Sequence, residues 1–220
     1  METPYFLSNG LQKLLLLSGI IASILYLGTD LLTGKLLIGY SFSSQTMSDL
    51  GATGSPIRPL FIILTIIASI ILIAFGVGVW WVSKPAVLPG IIAGLIIGNA
   101  VTTIIATLFF PNQYGVRPEF RTPGVIMMFI SVLCFVLAMI LGAFAFHGWM
   151  RIFSASIPIA YVLLAIIRFA TVNASSSGAS TMIGSQERTM AYSFLLWLMA
   201  LSIYLMINIK NTVASVNTIG

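Results

Sequence analysis

From Leu60 to Val82 the chain carries no charged residue, and neither do Ala86 to Phe110 nor Pro123 to Phe146. A helix needs about 20 mostly apolar residues to cross the hydrocarbon core of a bilayer, and each of these runs is long enough. No soluble fold could hide them. Only 7% of the 220 residues are charged, against about 25% in ordinary soluble domains. Too few charges remain to cover a water-facing surface.

The expected fold is therefore all-α: a polytopic membrane protein with a six-transmembrane-helix bundle, one integral membrane domain over residues 1–220. The expected spans are residues 14–32, 60–82, 86–110, 123–146, 152–172 and 188–209. Trp80-Trp81 closes the second span as an interfacial aromatic pair. Lys84-Pro85 and His147 to Arg151 are tight turns, so the helices they join are antiparallel neighbours. Thr122-Pro123 reads as an N-cap followed by an N1 proline. Pro158 predicts a kink in the fifth span. Six spans put both termini on one side and the three long polar loops on the other. A bare count of Lys and Arg favours the long loops inside. Those loops also hold most of the acids, so their arginines read as paired. The expectation adopted is a multi-pass protein of the cell membrane with cytoplasmic termini.

Composition excludes several functions. No basic run is present, so nucleic acid is not an expected partner. The single Cys134 and single His147 lie far apart, with no HxxxH, HExxH or CxxC. No metal site and no cofactor are expected. The spans as drawn hold no ionisable residue at their centres, which argues against an ion pump.

Two patterns stand out. Gly90, Gly94 and Gly98 recur every fourth residue on the third span, and Thr102 continues the stripe. Such a stripe predicts close helix packing. Asn99 and Thr103 flank it, and Thr65, Ala68 and Ser69 on the second span are expected to face it. The second pattern is a cluster of ionisable residues near the long loops: Asp49, Arg58, Arg117, Glu119, Arg121, Arg168, Glu187 and Arg188. Arginine suits bidentate contact with carboxylate or phosphate. Asp49, Arg58, Arg117, Arg121, Arg168, Glu187 and Arg188 thus form a candidate site for a lipid headgroup or another anion. The simpler reading is mutual salt-bridging that orders the loops.

The first long loop runs Thr46-Met47-Ser48-Asp49-Leu50-Gly51-Ala52, the third span ends in Phe110-Pro111, and Gly184-Ser185-Gln186-Glu187-Arg188 precedes the last span, with Trp197 beyond. In this order the chain resembles the prokaryotic membrane-protein family catalogued as domain of unknown function 998. That family shows an S-D-L-G-A loop, an F-P pair and a G-x-x-E-R segment. Its members often carry a histidine early in the fourth span, where this chain has Gly124 to Met128. The resemblance implies a membrane protein of about six helices and no settled activity.

Three functions follow, in order. The first is a non-catalytic accessory or structural subunit of a membrane complex, partnered by other membrane subunits and lipids. The second is a lipid- or anion-binding protein or lipid-handling enzyme using the loop cluster. The third is a transporter of a neutral solute, which requires a polar cavity around Asn99, Thr102 and Thr103.

Overall fold

A computed structural model describes residues 9–84, 86–115, 122–174 and 183–217, with the side chains of residues 9, 164–174 and 209–217 outside that description. Among the described residues all regular structure is helical: α1 (Asn9–Leu36), α2 (Met47–Leu50), α3 (Arg58–Val82), α4 (Val87–Phe109), α5 (Pro123–Ala145), α6 (Trp149–Ala174) and α7 (Ile183–Asn217). Five of these, α1, α3, α4, α5 and α7, are long and apolar enough to cross a membrane.

The outward faces of these helices are apolar, unlike those of a soluble protein. On α1, Leu14, Leu17, Ile21 and Ile24 point outward, while Ser23, Thr29, Asp30 and Thr33 are buried. On α3, Ile63, Ile67 and Ile70 are exposed, and Thr65 and Ser69 are buried. Apolar side chains outside and hydrogen-bonding groups inside are what a hydrocarbon solvent requires. The protein is a multi-pass integral membrane protein. At the end of α3, the Lys84 ammonium lies 3.9 Å from the Trp80 ring centre and 4.8 Å from that of Trp81. This pairing suits an interfacial layer, where a ring and a cation are both solvated.

Several helix boundaries differ from the expected spans, and two of the differences matter. α1 continues to Leu36 because Thr29 and Thr33 satisfy their hydroxyls on the carbonyls of Leu25 (2.8 Å) and Thr29 (2.6 Å). α7 begins at Ile183 rather than at Arg188. Asp30 and Arg188, which the expected spans hold at their ends, and Glu187 therefore stand inside helices.

The six long helices form a ring in chain order. α1 packs on α3, α3 on α4, α4 on α5, α5 on α6, α6 on α7, and α7 back on α1. Interhelical hydrogen bonds secure it. The Ser202 hydroxyl donates to the Leu16 carbonyl, the Trp197 indole N–H to the Ser154 hydroxyl (2.9 Å), and the Tyr161 hydroxyl to the Met190 carbonyl (2.8 Å).

The glycine stripe does not bring helices together as expected. A methyl group on Gly94 would meet nothing within 4 Å, and Gly90 and Gly98 make only ordinary contacts, at 3.7 Å to Trp80 and 3.6 Å to the Cys134 sulfur. α4 instead buries Ile92, Ala93, Ile96, Asn99 and Ala100, together with Thr102 of the stripe. The close approach belongs to α3. There a methyl on Gly78 would lie 3.1 Å from the Leu15 carbonyl carbon of α1, and one on Gly76 would lie 3.2 Å from the Ala93 oxygen of α4.

Gly78→Ala should therefore lower stability in detergent by about 1–3 kcal/mol, the usual cost of overpacking. Gly94→Ala should be neutral or raise it by about 0.5–1 kcal/mol, because alanine is the better helix former. Equilibrium unfolding of the two variants side by side checks this, and equal losses would restore the stripe as the packing face.

Candidate functional site

Two polar features lie inside the ring: an ionic node at the long-loop end and a cavity at mid-height. The node is built on Arg188. Its guanidinium grips Asp30 with two bonds, Nε to Oδ2 at 2.8 Å and Nη2 to Oδ1 at 2.9 Å. Nη1 donates to the carbonyls of Phe42 (2.7 Å), Gln45 (2.9 Å) and Gly184 (3.3 Å). Nη2 also donates to the Tyr40 hydroxyl. The Tyr192 hydroxyl donates to Asp30 as a further bond. The Asp30 side chain is fully buried and that of Arg188 is 7% exposed. Such a pair is tolerable only because every donor has an acceptor.

The motif residues are the parts of this node. The Gly184 position must be glycine, since a methyl there would sit 2.1 Å from the Gln45 oxygen that Arg188 binds. Glu187 accepts the Met47 backbone N–H (2.8 Å) and so holds the start of α2. Asp49 accepts the Thr46 N–H (2.8 Å) in a capping box. Ser48 accepts a bond from the Asn112 amide (3.4 Å), and Thr53 pairs its backbone with Asn112 and Tyr114. This pairing ties the first long loop to the chain after Phe110-Pro111. A methyl on Gly124 would lie 2.6 Å from the Phe110 oxygen, so that turn also needs a glycine. Arg58 donates from Nε to the Gly51 carbonyl (3.2 Å). Burial holds the Tyr40 hydroxyl well above the ordinary phenol range despite the Arg188 contact. It stays neutral and donates to the Thr46 carbonyl at 2.7 Å.

Of the residues expected to bind an anion, Asp49, Glu187 and Arg188 thus meet around α2, and Arg58 reaches the end of the same motif. Their described bonds run to groups of the protein itself. Arg117, Glu119 and Arg121 lie outside the described residues, as does the side chain of Arg168. Asp30 was not expected here. Its sole signal is a carboxylate at the end of an apolar run, which a long enough helix carries into the interior.

The cavity holds about 90 Å³ and is lined from five helices. A buried water needs about 10–15 Å³ of such space, so the volume admits a small molecule. Its polar groups are Ser23 and Tyr26 of α1, Ser69 of α3, Asn99 and Thr103 of α4, and Ser131 of α5. These positions fall near the middle of their helices. Ala22, Ala68, Ala100, Leu72 and Phe135 supply apolar wall. Asn99 crosses from α4 to α5, donating to the Ser131 hydroxyl (2.7 Å) and carbonyl (3.1 Å). Tyr26 sits one turn from Asp30 on α1, so it lies between node and cavity. Of the expected polar set, Asn99 and Thr103 line the cavity, whereas Thr102 spends its hydroxyl on the Gly98 carbonyl (2.7 Å). Ser23, Tyr26 and Ser131 were not foreseen, because a lone hydroxyl in a span usually bonds its own backbone.

Arg188→Met should cost about 3–5 kcal/mol, since it leaves Asp30 buried without its cation. The double variant Asp30→Leu with Arg188→Met should recover a substantial part of that loss, because no charge is then stranded. Unfolding titrations of the single and double variants give the coupling, and strictly additive losses would mean the pair is not a unit.

A family model described as "Protein of unknown function (DUF998)" matches residues 20–204, a stretch that contains α2 through α6, the whole node and the cavity wall. No curated protein and no solved structure matches the chain. The loop signature, the F-P pair and the G-x-x-E-R segment converge on one interlocked node, and the chain belongs to the DUF998 family.

Proposed function

We propose that this protein spans the membrane six times and carries a small neutral solute through the mid-height cavity of its helical ring. The cavity is the observation that supports this. Substrate sites of membrane carriers lie near the bilayer midplane, at the interface of several helices. Here five helices contribute to one mid-height wall that contains no carboxylate and no cation. An ion placed there would lose its hydration without a counter-charge, so a neutral solute fits better.

The sixth crossing is α6, whose 26 residues reach about 39 Å at about 1.5 Å per residue. That exceeds the roughly 30 Å hydrocarbon core. With six crossings the termini share one face, which we place on the cytoplasmic side of the cell membrane. Arg58 and Arg188 then act in the folded node rather than as topology signals.

The lipid- or anion-binding alternative draws less support. Arg188 is saturated by Asp30, Tyr40 and three carbonyls, and a phosphate would have to displace them. The accessory-subunit alternative rests on the glycine stripe, of which Gly94 alone is left uncovered while Gly90 and Gly98 make ordinary contacts within the bundle.

The experiment is osmotic flux into proteoliposomes, followed by light scattering, with glycerol and urea as probes. The protein should raise the permeability of at least one of them above that of empty vesicles. Ala100→Leu, which fills the cavity from α4, should reduce that increment severalfold while the protein remains folded and monodisperse. If neither probe moves faster than through lipid alone, and the protein migrates from native membranes only within a larger assembly, the accessory role takes its place.

A further inference from the structure

The cavity has one wall unlike the rest. Its six polar side chains come from α1, α3, α4 and α5. α7 contributes only Ala191, Phe194, Leu195 and Leu198. This is not for want of polar residues on α7. The Tyr192 hydroxyl is committed to Asp30, the Ser193 hydroxyl donates to the Thr189 carbonyl of its own helix (2.7 Å), and Ser202 donates to the Leu16 carbonyl. Phe135 of α5 stacks on Phe194 with ring centres 5.0 Å apart, which extends the apolar wall.

The polar side offers both halves of a hydrogen bond. The hydroxyls of Ser23 and Thr103 have spent their protons on the main-chain carbonyls of Gly19 (2.8 Å) and Asn99 (2.9 Å), and they keep lone pairs. The hydroxyls of Tyr26, Ser69 and Ser131 donate to no group among the described residues, so their protons are available. A single hydroxyl or amide group can both donate and accept there. A solute that is polar all round would leave a desolvated donor or acceptor against α7, and a pure hydrocarbon would leave the opposite side unpaired.

Resting on the reading of the cavity as a solute site, we infer that its ligand is a small uncharged amphiphile. Its hydroxyl or amide group lies among Tyr26, Ser69, Asn99 and Ser131, and its hydrocarbon end lies against Phe194, Leu195 and Leu198. A cavity of about 150 Å³ holds benzene, so the volume of about 90 Å³ suits a solute of roughly four heavy atoms. α7 is the wall that sets specificity.

The test uses acetamide and urea, planar uncharged solutes of equal heavy-atom count. Acetamide carries a methyl group where urea carries a second amino group. Both are applied at equal osmotic gradient to the same proteoliposomes, and each rate is taken above that of empty vesicles. The wild-type increment for acetamide should exceed that for urea about fourfold, the factor expected for burying one methyl-sized group. Leu195→Asn, which makes the α7 wall polar, should bring the two increments within about twofold of each other. Because that change may cost folding, Ala191→Ser serves as the second variant and should about halve the ratio at unchanged unfolding midpoint. Ser69→Ala, on the opposite side, should lower both increments alike, about threefold, and leave their ratio intact. Urea passing as fast as acetamide, or a ratio that both α7 variants leave unchanged, would overturn the assignment of ligand class while leaving the carrier reading intact. No increment for acetamide, urea or glycerol would remove both.

Discussion

One buried arginine organises the long-loop end of this protein. Arg188 has five N–H donors in a planar fork, and none can be left unbonded in an apolar interior without a large cost. Satisfying them dictates much else. Asp30 must stand opposite, which requires α1 to run on to that height and α7 to start early enough to face it. The carbonyls of Phe42 and Gln45 must turn inward, which requires Gly184 beneath them. The chain between α1 and α3 is thereby fixed over the ring, and α2 is short because it only turns the backbone between two carboxylate anchors, Asp49 and Glu187. Three loop motifs far apart in the chain are the components of one solvation shell.

The node and the glycines divide the bundle into regions with different causes of cohesion. At the long-loop end, cohesion is polar and directional. In the other half it is steric. There Phe75, Val79, Leu16 and Leu201 are fully buried, and Gly78 lets α1 and α3 approach at backbone distance. Lipid is as apolar as leucine, so helices in a membrane gain little from burying leucine alone. Shape fit and hydrogen bonds must supply the association. The ring accordingly uses both, with Trp197 bonded to Ser154 and Ser202 to Leu16 across separate helix pairs.

The fold was largely legible in the sequence, because hydropathy over a span is a sum and needs no knowledge of partners. The uncharged runs from Leu60, Ala86 and Pro123 gave α3, α4 and α5 with small shifts at their ends. What depends on pairing was less legible. Arg188 and Asp30 are 158 residues apart, and Asp30 resembles a span terminus until its partner is known. The glycine stripe misled for a related reason: glycine has no side chain with which to declare a direction, so the spacing on α4 reads the same whether it faces a helix or lipid. Asn99 and Thr103 were recognisable as polar residues in a span. Ser131 was not, since its role is to receive the amide that orients Asn99.

The scarcity of charge has a consequence for the cavity. Charges buried in the described ring concentrate at the node, where they neutralise one another in part and meet backbone dipoles. The cavity one turn away is left with hydroxyls, an amide and a phenol. A site with only neutral dipoles discriminates by hydrogen bonding and by volume, not by charge. The node also constrains how such a site can open. Separating α1 from α7 at the long-loop end would break the Arg188–Asp30 pair and strand both ions, at a cost of about 3–5 kcal/mol. The contacts in the opposite half are mostly apolar, with the Ser202–Leu16 bond between α7 and α1, and parting them strands no ion. The long-loop end is therefore the stiff end of the ring, and under the proposed carrier role a solute would enter from the half of the bundle that holds Trp80, Lys84 and the two tight turns.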